Sequence, residues 1–370
     1  MKLLNLHQIV ERPRLIQHVD RLHAWKHGEC FAPVSIDFTP MSSCNQSCSY
    51  CFSAEMMDSV QGDDRKIDTQ VMIDLFRDAG RYGVDQMFIE GIGEPLMHPD
   101  LHLGIQAGHA EGLDSMIVTN GVLLRPERQE QILPYLWALR MSVVTRDPKR
   151  YARLHGCSEK QWHVLIENIR SLVELRNSND LSCVLWATAY LFDGEPERLY
   201  EDIEFIRELG FDIVNVGQID ESPFGAEKDK PRSAYGIDLV PGGAQRLKSL
   251  EREDFYIQLR LKGTQSRDLC YVQQQHEKTD RDCQGIYFKT CVASDGHVYP
   301  CHAHLYNKDY SLGNLAEMSF QEIWERRHRQ SVMQRVNAEG YDPKRCFCFH
   351  AHLNTTLKQI ENPTKFAHLV

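Results

Sequence analysis

Three cysteines stand close together in Ser43-Cys44-Asn45-Gln46-Ser47-Cys48-Ser49-Tyr50-Cys51, separated by three residues and then by two. That spacing sets three thiols on one tight loop. Thiolates ligate iron–sulfur clusters and zinc, so the loop reads as a metal site. A cubane cluster has four irons, and three thiolates from one loop leave one iron open to another ligand. Three clustered cysteines alone also suit half of a zinc site. A second group of six cysteines runs from Cys270 to Cys348. In it Cys283 is followed by twelve residues, Gly296, four residues and Cys301, and Cys346-Phe347-Cys348-Phe349-His350 closes the group. Cys30, Cys157 and Cys183 stand alone and read as ordinary buried thiols.

The rest of the composition narrows what this metal chemistry serves. Twelve cysteines in 370 residues, with no apolar leader and cleavage site at the N-terminus, favour metal binding over a disulfide framework. A formal charge of -10 argues against a general nucleic-acid binder, which needs clustered Lys and Arg. No window approaches the roughly 18 unbroken apolar residues of a membrane span. The chain reads as cytoplasmic.

The cysteine loop needs a scaffold, and the pattern from Val34 to Val216 supplies one. Short apolar runs alternate with longer helix-period segments, the mark of a repeated parallel βα unit. The expected strands are Val34–Phe38, Gln86–Ile89, Ser115–Val118, Met141–Val144, Val184–Leu191 and Phe211–Val216. Between them, Trp162, Leu165, Ile166, Ile169, Leu172 and Val173 form one helical stripe, and Leu199, Ile203, Ile206 and Leu209 another, ended by Gly210. Six units are too few for a closed eight-stranded barrel. The expected fold is therefore α/β, an incomplete (β/α)6 TIM-like barrel over residues 34–219, after an N-terminal extension of residues 1–33. Residues 220–269, with breaks at Glu221-Ser222-Pro223-Phe224-Gly225 and Pro241-Gly242-Gly243, read as a solvated linker or a lid. Residues 270–370 form a smaller cysteine-rich domain.

Taken together, these motifs resemble the radical SAM superfamily. The C-x3-C-x2-C triplet follows the first strand, and Glu90-Gly91-Ile92-Gly93-Glu94-Pro95 ends the second, similar to that family's Gly-Gly-Glu-Pro motif. Thr119-Asn120-Gly121 ends the third strand, Ser142 lies in the fourth, and Tyr151-Ala152-Arg153-Leu154-His155-Gly156 follows it. The resemblance implies that Cys44, Cys48 and Cys51 hold a [4Fe-4S] cluster whose open iron chelates S-adenosylmethionine (SAM). Reductive cleavage of SAM then gives a 5′-deoxyadenosyl radical that abstracts hydrogen from substrate. It further implies that Glu94 receives the SAM ammonium, with Gly91 and Gly93 allowing close backbone approach. Tyr50 packs on the adenine, Asn120 and Ser142 touch SAM, and Arg153 or His155 meets its carboxylate.

The segment Ser294-Asp295-Gly296-His297-Val298-Tyr299-Pro300-Cys301, with Ser311-Leu312-Gly313-Asn314-Leu315 and Ile323-Trp324 downstream, resembles the start of a SPASM or twitch domain. That resemblance implies an Asp-Gly hairpin turn and an auxiliary [4Fe-4S] cluster on Cys283, Cys301, Cys346 and Cys348. His350 rivals Cys348, and Cys270 and Cys291 are spares, Cys291 reading as a structural residue within a strand. Zinc is the competing occupant.

For substrate, the expectation is a small polar metabolite, sugar- or nucleoside-like, in an oxidation or related step, with flavodoxin or ferredoxin as electron donor. Residues 1–33 leave no room for a fused winged-helix leader-binding domain. The alternatives are a peptide-modifying maturase with a separate leader-binding partner and a non-catalytic iron–sulfur or zinc scaffold. Arg146, Gln218 and Asp220 follow the fourth and sixth strands at the expected barrel mouth. Asp220 is the candidate base and Arg146 the candidate substrate contact; surface or capping roles compete for all three.

Overall fold

The computed structural model describes residues 6, 14–51, 53–190, 196–217, 243–260, 283–339 and 351–361. One ten-stranded sheet runs through it. Its strands are β1 Ser35–Phe38, β2 Gln86–Ile89, β3 Asp114–Thr119, β4 Ala138–Val144, β5 Val184–Tyr190, β6 Ile213–Gly217, β7 Tyr256–Arg260, β8 Lys289–Val292, β9 His297–Tyr299 and β10 Gly313–Asn314. The order is β10-β9-β8-β1-β2-β3-β4-β5-β6-β7, so the sheet does not close on itself.

All six expected strands are present, and β1 to β7 pair in parallel. The seventh, Tyr256–Arg260, lies in the stretch read from sequence as linker or lid and adds to β6. On the opposite edge β8 pairs in parallel with β1, and β9 and β10 continue antiparallel. The cysteine-rich segment thus extends the same sheet. No helix among the described residues is long and apolar enough to cross a membrane.

Strand alternation separates two environments. Ile36, Phe38, Leu139, Met141, Leu185 and Val214 join the core between sheet and helices. The opposite face holds an apolar layer of Met116, Ala138, Val184, Trp186, Ile213 and Tyr256 inside the open barrel. Asp37 and Arg140 share that inner face by register with their neighbours. The outer layer forms as its sequence dictates. The helix Thr69–Tyr82 is capped by Asp68, which accepts from the backbone N–H groups of Gln70 and Val71, and it buries Met72, Leu75, Phe76 and Ala79. The stripe predicted around Leu165 is the helix Glu159–Ser178, and the helix Pro196–Glu208 is followed by left-handed Gly210, as expected.

Candidate active site

The cysteine loop follows β1 and is held from two sides by glycines. A β-carbon on Gly93 would lie 2.6 Å from the carbonyl oxygen of Met41 and 2.6 Å from the Ser43 nitrogen. Here the Glu94 N–H donates to the Ser43 carbonyl at 2.9 Å. On the other side Gly156, at φ +57°, ends the helix Pro148–His155, and a β-carbon there would lie 2.9 Å from the Ser47 carbonyl carbon. The Ser47 and Ser49 N–H groups donate to the carbonyls of His155 and Leu154 at 3.0 and 2.9 Å. Gly91, at φ +143°, packs on Thr39. The close approach that Gly91 and Gly93 permit is therefore to the protein's own chain around the cysteine loop.

Below the loop is a buried polar network. Gln46 donates to the Tyr151 hydroxyl and to Gln161 Oε1, both at 3.0 Å. His155 Nδ1 lies 2.8 Å from Gln46 Oε1 and 3.6 Å from Cys48 Sγ, its Nε2 lies 3.0 Å from the Tyr50 hydroxyl, and its ring stacks on Tyr151 at 4.0 Å. Burial lowers the His155 pKa to about 3, so the ring is neutral. His155 thus braces the loop from behind. Arg153, on the same helix, is exposed.

Glu94 connects the ends of β2 and β3. Its side chain is 3% exposed. It accepts from the Leu96 N–H at 3.0 Å, the Thr119 hydroxyl at 2.6 Å and the Asn120 N–H at 2.8 Å. Burial raises its pKa, and the Asn120, Thr119 and Leu96 donors oppose that shift. Asn120 Nδ2 in turn donates to Asn45 Oδ1 at 2.6 Å, which ties the third strand to the cysteine loop. Tyr50 packs with Val144, Leu154 and Tyr190. Ser142 is half-buried in β4, where the register shifts before Val144 at φ +62°.

The three loop thiols suit a metal cluster. Burial pushes the Cys44 thiol up to about 11, with Glu94 and Cys51 adding to the shift despite opposing backbone hydrogen bonds. Burial pushes Cys48 to about 12, with Cys51 and Cys44 adding. Cys44 and Cys48, which resist ionisation on their own, form with the neighbouring Cys51 a fit donor set for a cationic cluster, whose charge takes the place of thiol protons.

The second site is partly visible. The Asp295-Gly296 turn closes the β8–β9 hairpin, with Gly296 at φ +76° and the His297 N–H donating to Asp295 Oδ1 at 3.1 Å. Cys283 precedes this hairpin, across a 3-10 turn over Gln284–Tyr287, and Cys301 follows it directly. Cys283 Sγ accepts from Asn354 Nδ2 at 3.5 Å, and burial raises its pKa. Cys270, Cys346, Cys348 and His350 lie outside the described residues, as do Gln218 and Asp220. Arg146 is exposed and pairs with Glu201 at 2.6 Å on an outer helix, so its head group is directed away from the interior. Of the three solitary cysteines, Cys183 is buried as expected. Cys157 is half-buried, and Cys30 is exposed, corrected by its position in the N-terminal segment beside Tyr82 and Arg329.

One group of inner-face residues has no counterpart in the sequence reading. Asp37 on β1, Cys291 on β8 and His302 after β9 converge inside the sheet, with Lys289, Glu90 and Arg140 around them. The signal available in sequence was a charged residue within the otherwise apolar strand Ser-Ile-Asp-Phe.

A profile of the radical SAM superfamily matches residues 38–206. A profile of the SPASM iron–sulfur cluster-binding domain matches residues 283–349. The chain is 25% identical over 304 residues to the PqqA peptide cyclase of Ruegeria pomeroyi, covering 79% of this chain and 74% of that protein. It is 23% identical over 303 residues to the AdoMet-dependent heme synthase of Methanosarcina barkeri, covering 80% and 82%. The crystal structure of Streptococcus suis SuiB bound to precursor peptide SuiA superposes with a TM-score of 0.60 at 19% identity, over 88% of this chain and 72% of that one. That likeness shows a shared fold.

Proposed function

We propose that this chain, a radical SAM enzyme with a C-terminal SPASM iron–sulfur domain, modifies a peptide substrate. The observation that carries this reading is its similarity to the PqqA peptide cyclase of Ruegeria pomeroyi across 79% of the chain. A peptide takes the place of the small polar metabolite expected from sequence, because fold and cluster count do not select a substrate, whereas similarity over most of the chain bears on it. The similarity to a heme synthase supports a second reading, a small-molecule substrate.

In this reading Cys44, Cys48 and Cys51 hold the SAM-binding cluster, and Cys283 and Cys301 contribute to the auxiliary one with Cys346 and Cys348. When bound, the first cluster and SAM supply one-electron cleavage of the sulfonium and hydrogen abstraction from substrate, with electrons from a flavodoxin or ferredoxin. The chain's own residues orient the reactants. Glu94 is anchored by three donors and presents a fixed negative charge to the SAM ammonium, while Asn120 holds Asn45 and the cysteine loop in register. Tyr50, Gly91, Gly93, Ser142 and Arg153 complete the SAM pocket. Asp220 remains the candidate base, and Arg146 is set aside in favour of inner-face Arg140. The inner face offers Asp37, Glu90, Arg140 and Lys289, charges of both signs, with the imidazole of His302 beside them, and these suit the polar backbone and side chains of a peptide.

The test is anaerobic turnover with SAM and dithionite, using short peptides encoded beside the gene as one substrate set and nucleosides or sugars as another. The expected result is peptide-stimulated 5′-deoxyadenosine release with a hydrogen-loss mass change in the peptide. Stimulation by the small molecules alone would establish the second reading.

A further inference from the structure

We propose that Asp37, Cys291 and His302 form a mononuclear site for a divalent, zinc-like metal ion on the inner face of the sheet, beside Cys301 and with a donor set of its own. The donor types come first. Carboxylate, thiolate and imidazole together are a borderline-soft set suited to zinc. One ligand atom from each lies within 4.8 Å of the others. The positions are set by the sheet: Asp37 and Cys291 are direct partners in the β1–β8 register, and His302 follows Cys301 where the hairpin returns.

Two of the three separations match the edges of a coordination tetrahedron, and the Cys291–His302 contact is also within hydrogen-bond reach. Cys291 Sγ lies 3.4 Å from His302 Nδ1, and His302 Nδ1 lies 3.5 Å from Asp37 Oδ2. Zinc–sulfur and zinc–nitrogen or zinc–oxygen bonds at tetrahedral angles give edges of about 3.5 Å for S···N and about 3.3 Å for N···O. A direct N–H···O bond is shorter than the observed 3.5 Å. Asp37 is 2% exposed, and its Oδ2 has no hydrogen-bond partner. Lys289 Nζ lies 2.8 Å from Oδ1, so its charge balances one oxygen and leaves Oδ2 on the His302 side.

The surroundings of the imidazole agree. With Nδ1 on the metal, Nε2 carries the proton, and it lies 3.6 Å from Glu90 Oε1. At that separation Glu90 is a nearby countercharge to the imidazole. Arg140 lies 3.8 Å from the other Glu90 oxygen. Three protein donors leave a fourth tetrahedral position for water or a donor group of the substrate. The inference does not depend on the substrate being a peptide.

The experiment uses the full chain with its iron–sulfur clusters reconstituted anaerobically. It is incubated with zinc(II) alone, desalted, and assayed for zinc and iron per chain and for the zinc X-ray absorption edge. The expected result is one retained zinc with a single sulfur scatterer. Cys291→Ser and Asp37→Asn should each weaken zinc retention at least tenfold with iron content unchanged. The proposal is overturned if the wild type keeps no zinc, if the zinc is surrounded by sulfur alone, or if both ligand variants retain zinc as the wild type does. Loss of iron in Cys291→Ser would also overturn it, by making Cys291 a ligand of the auxiliary cluster. Should Cys291→Ser fold poorly, Asp37→Asn, which preserves side-chain shape, decides the question.

Discussion

A β-carbon on Gly93 would lie 2.6 Å from the Ser43 backbone nitrogen, so the end of β2 and the start of the cysteine loop meet with no space for a side chain. Neither neighbour is a flexible tip: both are main chain. Gly93→Ala must therefore displace the loop that carries Cys44. Overpacking of this kind costs about 1–3 kcal/mol. The expected outcome is a lowered melting temperature and slower, incomplete iron uptake at the loop on anaerobic reconstitution. Gly62→Ala, where φ is +59° but no atom lies within 4 Å, separates backbone strain from collision and should retain normal iron uptake.

Glu94→Gln tests the carboxylate that joins β2 to β3. The amide keeps one acceptor for Thr119 and Leu96 but turns an NH2 group on the Asn120 N–H. Loss of an acceptor for a buried donor costs about 1–3 kcal/mol. If Glu94 also receives the SAM ammonium, SAM affinity falls about 10- to 100-fold, from the roughly 1.5–3 kcal/mol of a hydrogen bond to a charged group. Thr119→Val removes one structural bond and keeps the charge, so it should lower stability without that loss in affinity. Equilibrium dialysis with SAM on cluster-loaded protein measures both. Wild-type affinity in Glu94→Gln would leave Glu94 a structural tie only.

Much of this arrangement was legible because it is local. The C-x3-C-x2-C loop, the Gly-Ile-Gly-Glu-Pro turn and Thr119-Asn120 each occupy a few consecutive residues at strand ends, and strand order follows from the repeated βα pattern. β7 was missed because a weakly patterned stretch precedes it, although Ile257 and Leu259 alternate with Tyr256 and Gln258 as a strand should. The role of His155 was misread because a loop-facing and a ligand-facing histidine look the same in sequence. Asp37, Cys291 and His302 were illegible together: they meet only because β8 returns to pair with β1.

His98 gives a pH dependence with a defined sign. Its side chain is buried, with Nε2 3.0 Å from the Ile67 carbonyl and Nδ1 3.3 Å from the Asp100 N–H. A carbonyl only accepts and an N–H only donates, so the ring is neutral with the proton on Nε2. Burial lowers its pKa below 6.5. Below about pH 6.5 the unfolded chain then binds a proton that the folded chain refuses. Stability falls with pH at up to about 1.4 kcal/mol per unit until the folded pKa is reached. Urea unfolding between pH 7.5 and 5.5 should show a steeper decline for the wild type than for His98→Gln. Parallel curves would refute the neutral buried ring.

Cluster stoichiometry follows from the two cysteine groups. The reconstituted chain should hold about eight irons, as two four-iron clusters. Replacing Cys44, Cys48 and Cys51 together with Ala should leave about half, held by the C-terminal segment. Iron assay and spin resonance of the reduced variant read this directly. A variant that takes up zinc and no iron would show the second group to be a zinc site.

Asn354 lies where it can tune the second group. Its Nδ2 donates to Cys283 Sγ at 3.5 Å, and its Oδ1 accepts from the Gly285 N–H at 2.7 Å, so the amide is held with its donor facing the sulfur. It is 4% exposed, and water does not compete for the bond. Hydrogen bonds to ligand sulfurs are among the factors that set cluster potentials, because they favour the reduced state with its extra negative charge. Removing this donor in Asn354→Leu should shift the auxiliary potential to more negative values. The shift is bounded by the roughly 1.5–3 kcal/mol of a charge-assisted bond, hence about 65–130 mV at most for a one-electron couple. The orphaned Gly285 N–H should also lower stability by about 1–3 kcal/mol. A spectroelectrochemical titration of the variant lacking Cys44, Cys48 and Cys51, with and without Asn354→Leu, isolates the auxiliary signal. An unchanged potential accompanied by the stability loss would confine Asn354 to holding Gly285 and exclude Cys283 from the ligand set.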